Sequence, residues 1–135
     1  MRIVIDTNIL VSGLFWKGSS QRVLNLWVDG RVIIVSSNEI LAEASATLSN
    51  FKVRMPDEQL TATLSFLRYN CLIVEPFQKL HIVKYDEEDN RFLEAAIAGR
   101  ADFIVTKDKH LLRVKEFCGV RIVTPGCFLA LLTVD

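Results

Sequence analysis

Short runs of β-branched and aliphatic residues recur along this chain with helix-period segments between them, and that alternation restricts the possible folds more than any other feature. The runs at 3–5, 32–35, 72–74, 103–105 and 120–123 are too short for buried helices and read as buried strands. Amphipathic stretches fill 20–28, 38–49, 57–69, 90–99 and 109–117, and a last short helix starts at Pro125. Strands that alternate with helices form a parallel sheet covered on both faces. The expected fold is therefore α/β: a three-layer α/β/α sandwich around a mainly parallel central sheet of about five strands. With 135 residues there is room for one hydrophobic core, so 1–135 is expected to be a single domain.

Composition excludes several function classes. Half of the residues are apolar and mean hydropathy is +0.28, too high for a disordered chain. The slight excess hints at a surface covered by a second subunit or a partner. Lys+Arg and Asp+Glu both total 16, so no bulk basic field holds nucleic acid and any such contact must be local. Cys71, Cys118 and Cys127 form no Cys-x-x-Cys pair and sit in or beside apolar runs, which fits a reducing, cytoplasmic setting. Asp6 and Asn8 interrupt the first apolar stretch, so a signal-peptide core is not expected. The apolar run 127–132 is far shorter than the roughly 20 residues a membrane crossing needs.

In open parallel sheets ligands bind beyond the carboxyl ends of the strands, so the residues just after each strand come first. The first strand ends in Asp6-Thr7-Asn8 and the fourth in Thr106-Lys107-Asp108, which puts two carboxylates at one edge. Taken singly, each Asp is more simply a turn former or a helix cap. A third acid comes from Asp86-Glu87-Glu88-Asp89-Asn90. Acids crowd first turns for dipole reasons, and Asp86 or Asp89 is a ready cap. Asp89, however, shares a helical face with Phe92, Leu93, Ala96 and Ile97 and should point inward. The fourth candidate is Glu43, which flanks the stripe of Ile40, Leu41, Ala44 and Leu48, whereas Glu39 faces water.

Four acids in one crevice cannot all stay ionised without a counter-charge. A divalent cation supplies it. Oxygen donors with no His or Cys cluster point to Mg²⁺, or Mn²⁺ as a substitute. Asp6, Asp89 and Asp108 are the expected metal ligands, with Glu43 closing the catalytic group. Asn8 and Thr106 would support the carboxylates by hydrogen bonds. A carboxylate-bound ion of this kind serves phosphodiester hydrolysis. Lys107, Lys109 and Arg113 surround the Asp108 corner and are candidate contacts to RNA phosphates, although such a run is more simply a solvated face.

These motifs together, Ile-Asp6-Thr-Asn8-Ile-Leu-Val-Ser, Ser36-Ser37 with Leu41-Ala-Glu43, Asp86-Glu-Glu-Asp89-Asn90 and Thr106-Lys-Asp108-Lys-His-Leu-Leu, resemble the PIN domain. Within it the chain is similar to the prokaryotic group described as toxin components of toxin–antitoxin systems, the VapC-like ribonucleases. The resemblance runs from the first strand to Arg121-Ile-Val-Thr-Pro125 before the last helix. It implies a metal-dependent endoribonuclease whose acidic cluster is Asp6, Glu43, Asp89 and Asp108, with support from Asn8 and Thr106. It also implies dimers and a cognate antitoxin.

Two other readings stay open. One is a non-catalytic PIN-like module whose acids cap helices while an apolar surface recruits a partner protein. The other is an aspartate-dependent phosphatase, since Asp6-Thr7-Asn8 approaches the Asp-x-Asp pattern; Asn8, however, cannot transfer the proton that the second acid must. The stretch from Gly13 to Ser20 mimics a phosphate loop but has Ser19 where Lys is needed. His81 and His110 share no metal-ligand spacing.

Overall fold

The structure, a computed structural model, describes residues 1–50, 55–84 and 87–133. In chain order the elements are β1 (Arg2–Ile5), α1 (Thr7–Phe15), α2 (Ser19–Val28), β2 (Ile33–Ser37), α3 (Asn38–Ser49), α4 (Asp57–Asn70) and β3 (Leu72–Val74). A 3-10 turn (Glu87–Asp89) then leads into α5 (Asn90–Ala98), β4 (Phe103–Val105), α6 (Lys109–Leu112), β5 (Glu116–Phe117), β6 (Val120–Val123) and α7 (Pro125–Thr133).

The strands form one sheet in the order β3-β2-β1-β4-β6-β5, parallel except for β5, which pairs antiparallel with β6. Ile3 pairs with Ile34 and with Phe103, and Ile5 lies opposite Val105, which in turn faces Val123. Alternate strand residues serve opposite layers, as a period of two requires. Ile3, Ile5, Ile34, Val105 and Val123 pack with Ile9, Val23, Leu24, Trp27, Leu41 and Phe128, beneath α1, α2, α3, α4 and α7. Val4, Val35, Ile104 and Ile122 pack with Phe92, Leu93, Ala96 and Leu111, beneath α5 and α6. Three layers result, as the strand–helix alternation predicts.

One local expectation needs correction, and two elements add to the expected set. The sheet has six strands among the described residues, the short β5 joining the five expected. The stretch 109–117 is not one helix: α6 ends at Leu112 and the chain turns into β5 through Lys115 at φ 66°. Cys118 and Gly119, both at positive φ, then close the hairpin to β6. Two consecutive positive φ values match the twist of a tight hairpin, but Cys-Gly lacks the usual Asn-Gly signature. A helix also begins directly after β1, because Asp6 caps α1 with Oδ1 accepting from the Ile9 amide at 2.8 Å.

The described part of the long connection after β3, residues 75–84, is irregular, as expected, and it is fastened to α5 by two buried polar side chains. Asn90 Oδ1 accepts from the amides of Ile82 (3.0 Å) and Val83 (2.8 Å), and its Nδ2 donates to the Val83 carbonyl at 2.9 Å. Glu94 accepts from the Leu80 amide at 2.8 Å. Asp86, one of the two caps proposed for α5, lies outside the described residues.

Candidate active site

The strand order places β1 and β4 side by side at the centre, and the connections leave them toward opposite edges of the sheet. This is the switch point where a crevice opens beyond the strand ends. Asp6 directly follows β1 and Thr106 directly follows β4. Backbone pairing continues one step beyond each strand, with the Asp6 amide on the Val105 carbonyl at 3.3 Å and the Thr106 amide on Val123 at 2.9 Å. Both side chains are thereby fixed by the sheet itself.

Thr106 is fully buried, and its hydroxyl donates to Asp6 Oδ2 while accepting from the Asp108 amide at 2.9 Å. One hydroxyl thus ties Asp6 to the turn that carries Asp108. Asp108 is half-buried and caps α6, with Oδ1 accepting from the amides of His110 (2.7 Å) and Leu111 (3.3 Å). Both aspartates therefore do cap helices, as the simpler reading of each requires. Each cap occupies only one carboxylate oxygen.

Asp6 is 5% exposed and borders a cavity of about 20 Å³ whose other walls include Ile5, Leu10, Ile34, Ile40 and Leu41. Burial among these groups pushes its carboxyl above the usual range. The Thr106 hydroxyl and the Ile9 amide pull it back, and the nearby charges of Asp108 and Glu43 raise it further. Two of the other candidate acids, Asp108 and Glu43, therefore act on Asp6 at this end of the sheet.

Asp89 is 9% exposed at the end of the 3-10 turn. It sits at the N-cap position of α5 with helical backbone angles and no capping hydrogen bond, so the cap reading fails for this acid. Its inward direction agrees with the predicted helix phase. Asn8 is exposed in the first turn of α1, and among the described residues no hydrogen bond joins it to Asp6. Lys107, Lys109 and Arg113 are all exposed around the Asp108 corner.

Arg91 was not singled out by the sequence. Its Nη1 lies 3.0 Å from Glu43 Oε2 and its Nη2 lies 3.7 Å from Glu39 Oε1. It reaches from α5, in one helical layer, to α3 in the other. Part of the counter-charge that an acidic crevice needs is therefore supplied by the chain. The available signal was a cation two residues after Asp89; only the approach of α5 to α3 gives it meaning.

Among the described residues no group of three or more His, Cys, Asp or Glu side chains is placed to hold a metal ion. Mg²⁺ usually keeps several waters and takes one or two carboxylates. A buried carboxylate with two further acids beside it is a donor set of that open kind.

A sequence model of the PIN domain matches residues 2–110. Among solved structures, VapBC2 from Rickettsia felis, crystallised with a DNA fragment from their promoter, is similar in fold. Its TM-score is 0.60 at 21% identity, covering 90% of this chain and 97% of that one. No curated protein matches.

Proposed function

The chain belongs to the PIN-domain family, and on that premise we propose that it is a Mg²⁺-dependent endoribonuclease, formed as one domain over residues 1–135. The observation that carries this reading is the switch-point placement of Asp6, buried, joined through Thr106 to Asp108 and pressed by the charge of Glu43. An isolated acid cap does not require two like charges as neighbours.

Asp6, Asp89 and Asp108 would hold the ion, directly or through water. When bound, a divalent ion activates water and offsets charge on the phosphoryl oxygens. Thr106 fixes the rotamer of Asp6 and the turn of Asp108, so that the carboxylates need little rearrangement. Glu43 stands beside them on α3. Lys107, Lys109 and Arg113 are positioned to meet RNA phosphates at the Asp108 edge, and Asn8 faces solvent on the Asp6 side.

The VapBC2 assembly supports a further part of the proposal, that this chain is the toxin of a toxin–antitoxin pair, silenced by a cognate antitoxin; a homodimer or higher oligomer and a cytoplasmic setting are proposed with it. Among the described residues no helix is long and apolar enough to cross a membrane. Purified protein should cleave single-stranded RNA with Mg²⁺ or Mn²⁺ and stop with EDTA. Full cleavage in chelator would falsify the metal requirement.

A second reading is favoured by one observation, the capping role of both Asp6 and Asp108. On that reading the protein is a binding module without catalysis. Calorimetry separates the two, because the module takes up no Mn²⁺ that depends on Asp6.

A further inference from the structure

Glu43 does not meet the crevice as a bare charge. Arg91 lies on it at 3.0 Å and reaches Glu39 at 3.7 Å. The Arg91 side chain is only 15% exposed, and its Nε is buried with no partner among the described residues. It is a held guanidinium, not a mobile surface cation. The helix that carries it starts directly after Asp89, and the helix it reaches carries the acid whose charge acts on Asp6.

Resting on the nuclease reading above, we propose that Arg91 is a positioning residue that holds the Glu43 carboxylate against α5 and offsets part of its charge. Asp6, Asp89 and Asp108 are then the groups that set divalent-ion affinity, and Glu43 tunes that affinity from outside. A planar guanidinium suits the task because its fork of donors serves two carboxylates without losing its charge. Glu39 and Glu43 together carry two negative charges, and Arg91 leaves one. An ion of charge two responds strongly to such a difference even through a solvent-screened path.

The arrangement makes removal of either partner act in opposite directions. Arg91→Gln exposes Glu43 and should tighten Mn²⁺ binding, on the order of threefold to tenfold for one unit of charge at a screened distance. Glu43→Gln removes one negative charge, leaving Arg91 balanced by Glu39 alone, and should weaken binding by a similar factor. The double variant should return close to wild type.

The test is calorimetric titration of the full chain with Mn²⁺ alone, with circular dichroism and thermal melts on each variant to establish folding. Opposite shifts that cancel in the double variant are the expected result. A clamp that is purely structural lowers the melting temperature of Arg91→Gln and leaves its Mn²⁺ affinity unchanged, which overturns the proposal. If Arg91→Gln does not fold, the Glu43→Gln arm decides, because unchanged or tighter binding there is equally fatal. A wild-type chain that takes up no Mn²⁺ removes the nuclease reading, and this proposal with it, by a result distinct from the others.

Discussion

Asp6 performs two tasks that pull in different directions. As the cap of α1 it accepts from the Ile9 amide, and as a buried acid among like charges it resists ionisation. Its folded-state pKa is raised, so the stabilising contribution is present below the ordinary carboxylate range and is lost as pH rises through the folded value. Above that value, ionised Asp6 opposes folding. Asp6→Asn keeps a good cap, since Asn and Asp cap about equally well. The variant should melt a few degrees higher than wild type at pH 7, with the gain shrinking toward pH 4, while RNA cleavage is lost. A lower melting temperature at pH 7 would show the carboxylate to be a net stabiliser. Thr106 offers a milder probe. Thr106→Val keeps the shape but removes the hydroxyl shared by Asp6 and Asp108. Cleavage should fall about 10- to 100-fold, the usual loss when a group orienting a metal ligand is removed, as initial rates at saturating Mn²⁺ would measure.

The helix α5 carries the most varied set of tasks in the chain. Asn90 and Glu94 fasten the long connection, Arg91 reaches α3, and Phe92, Leu93 and Ala96 fill the core. Its periodicity shows the core face plainly, but the polar residues have partners some distance away in sequence and cannot be interpreted from spacing. Gly99 ends the helix where it crosses β2 closely. A Cβ there would lie 2.4 Å from Val35 Cγ1 and 3.2 Å from the Ala95 carbonyl oxygen. Val35 is buried and cannot swing aside without opening the layer beneath α5. Gly99→Ala should cost about 1–3 kcal/mol, the usual penalty of overpacking, measured by urea unfolding. A change below the error of that measurement would mean that α5 slides freely on the sheet. Gly13 plays a comparable part where α1 meets α2, with a Cβ 2.5 Å from Leu24 Cδ1 and 3.0 Å from the Ser20 carbonyl oxygen.

At the scale of the whole molecule, the site and the fold share one cause. The sheet order brings the ends of β1 and β4 together, and the acids that follow them are then forced into proximity. Such a gathering of like charge should make the folded protein more stable when a divalent ion is bound, because the ion favours the state in which the acids are close. At a hundredfold excess over its Kd, Mn²⁺ should add about 2.7 kcal/mol of stability. Thermal melts should show the rise in wild type and lose most of it in Asp6→Asn. Equal rises in both would place the ion elsewhere.

The sequence by itself determined the layered α/β architecture, four of the strands almost to the residue, and the inward phase of Asp89, because all of these follow from local periodicity and burial. It also picked out Asp6 and Asp108 from their places just after strands. The register of β1 against β4, the hydroxyl of Thr106 between two aspartates and the guanidinium of Arg91 on Glu43 were decided only by the tertiary structure. Each joins residues dozens of positions apart, and no local pattern encodes which strand ends or helix faces meet. The hairpin through Cys118 and Gly119 belongs with them: its turn residues carry little signal, and pairing with β6 supplies the hydrogen bonds that hold β5 in place.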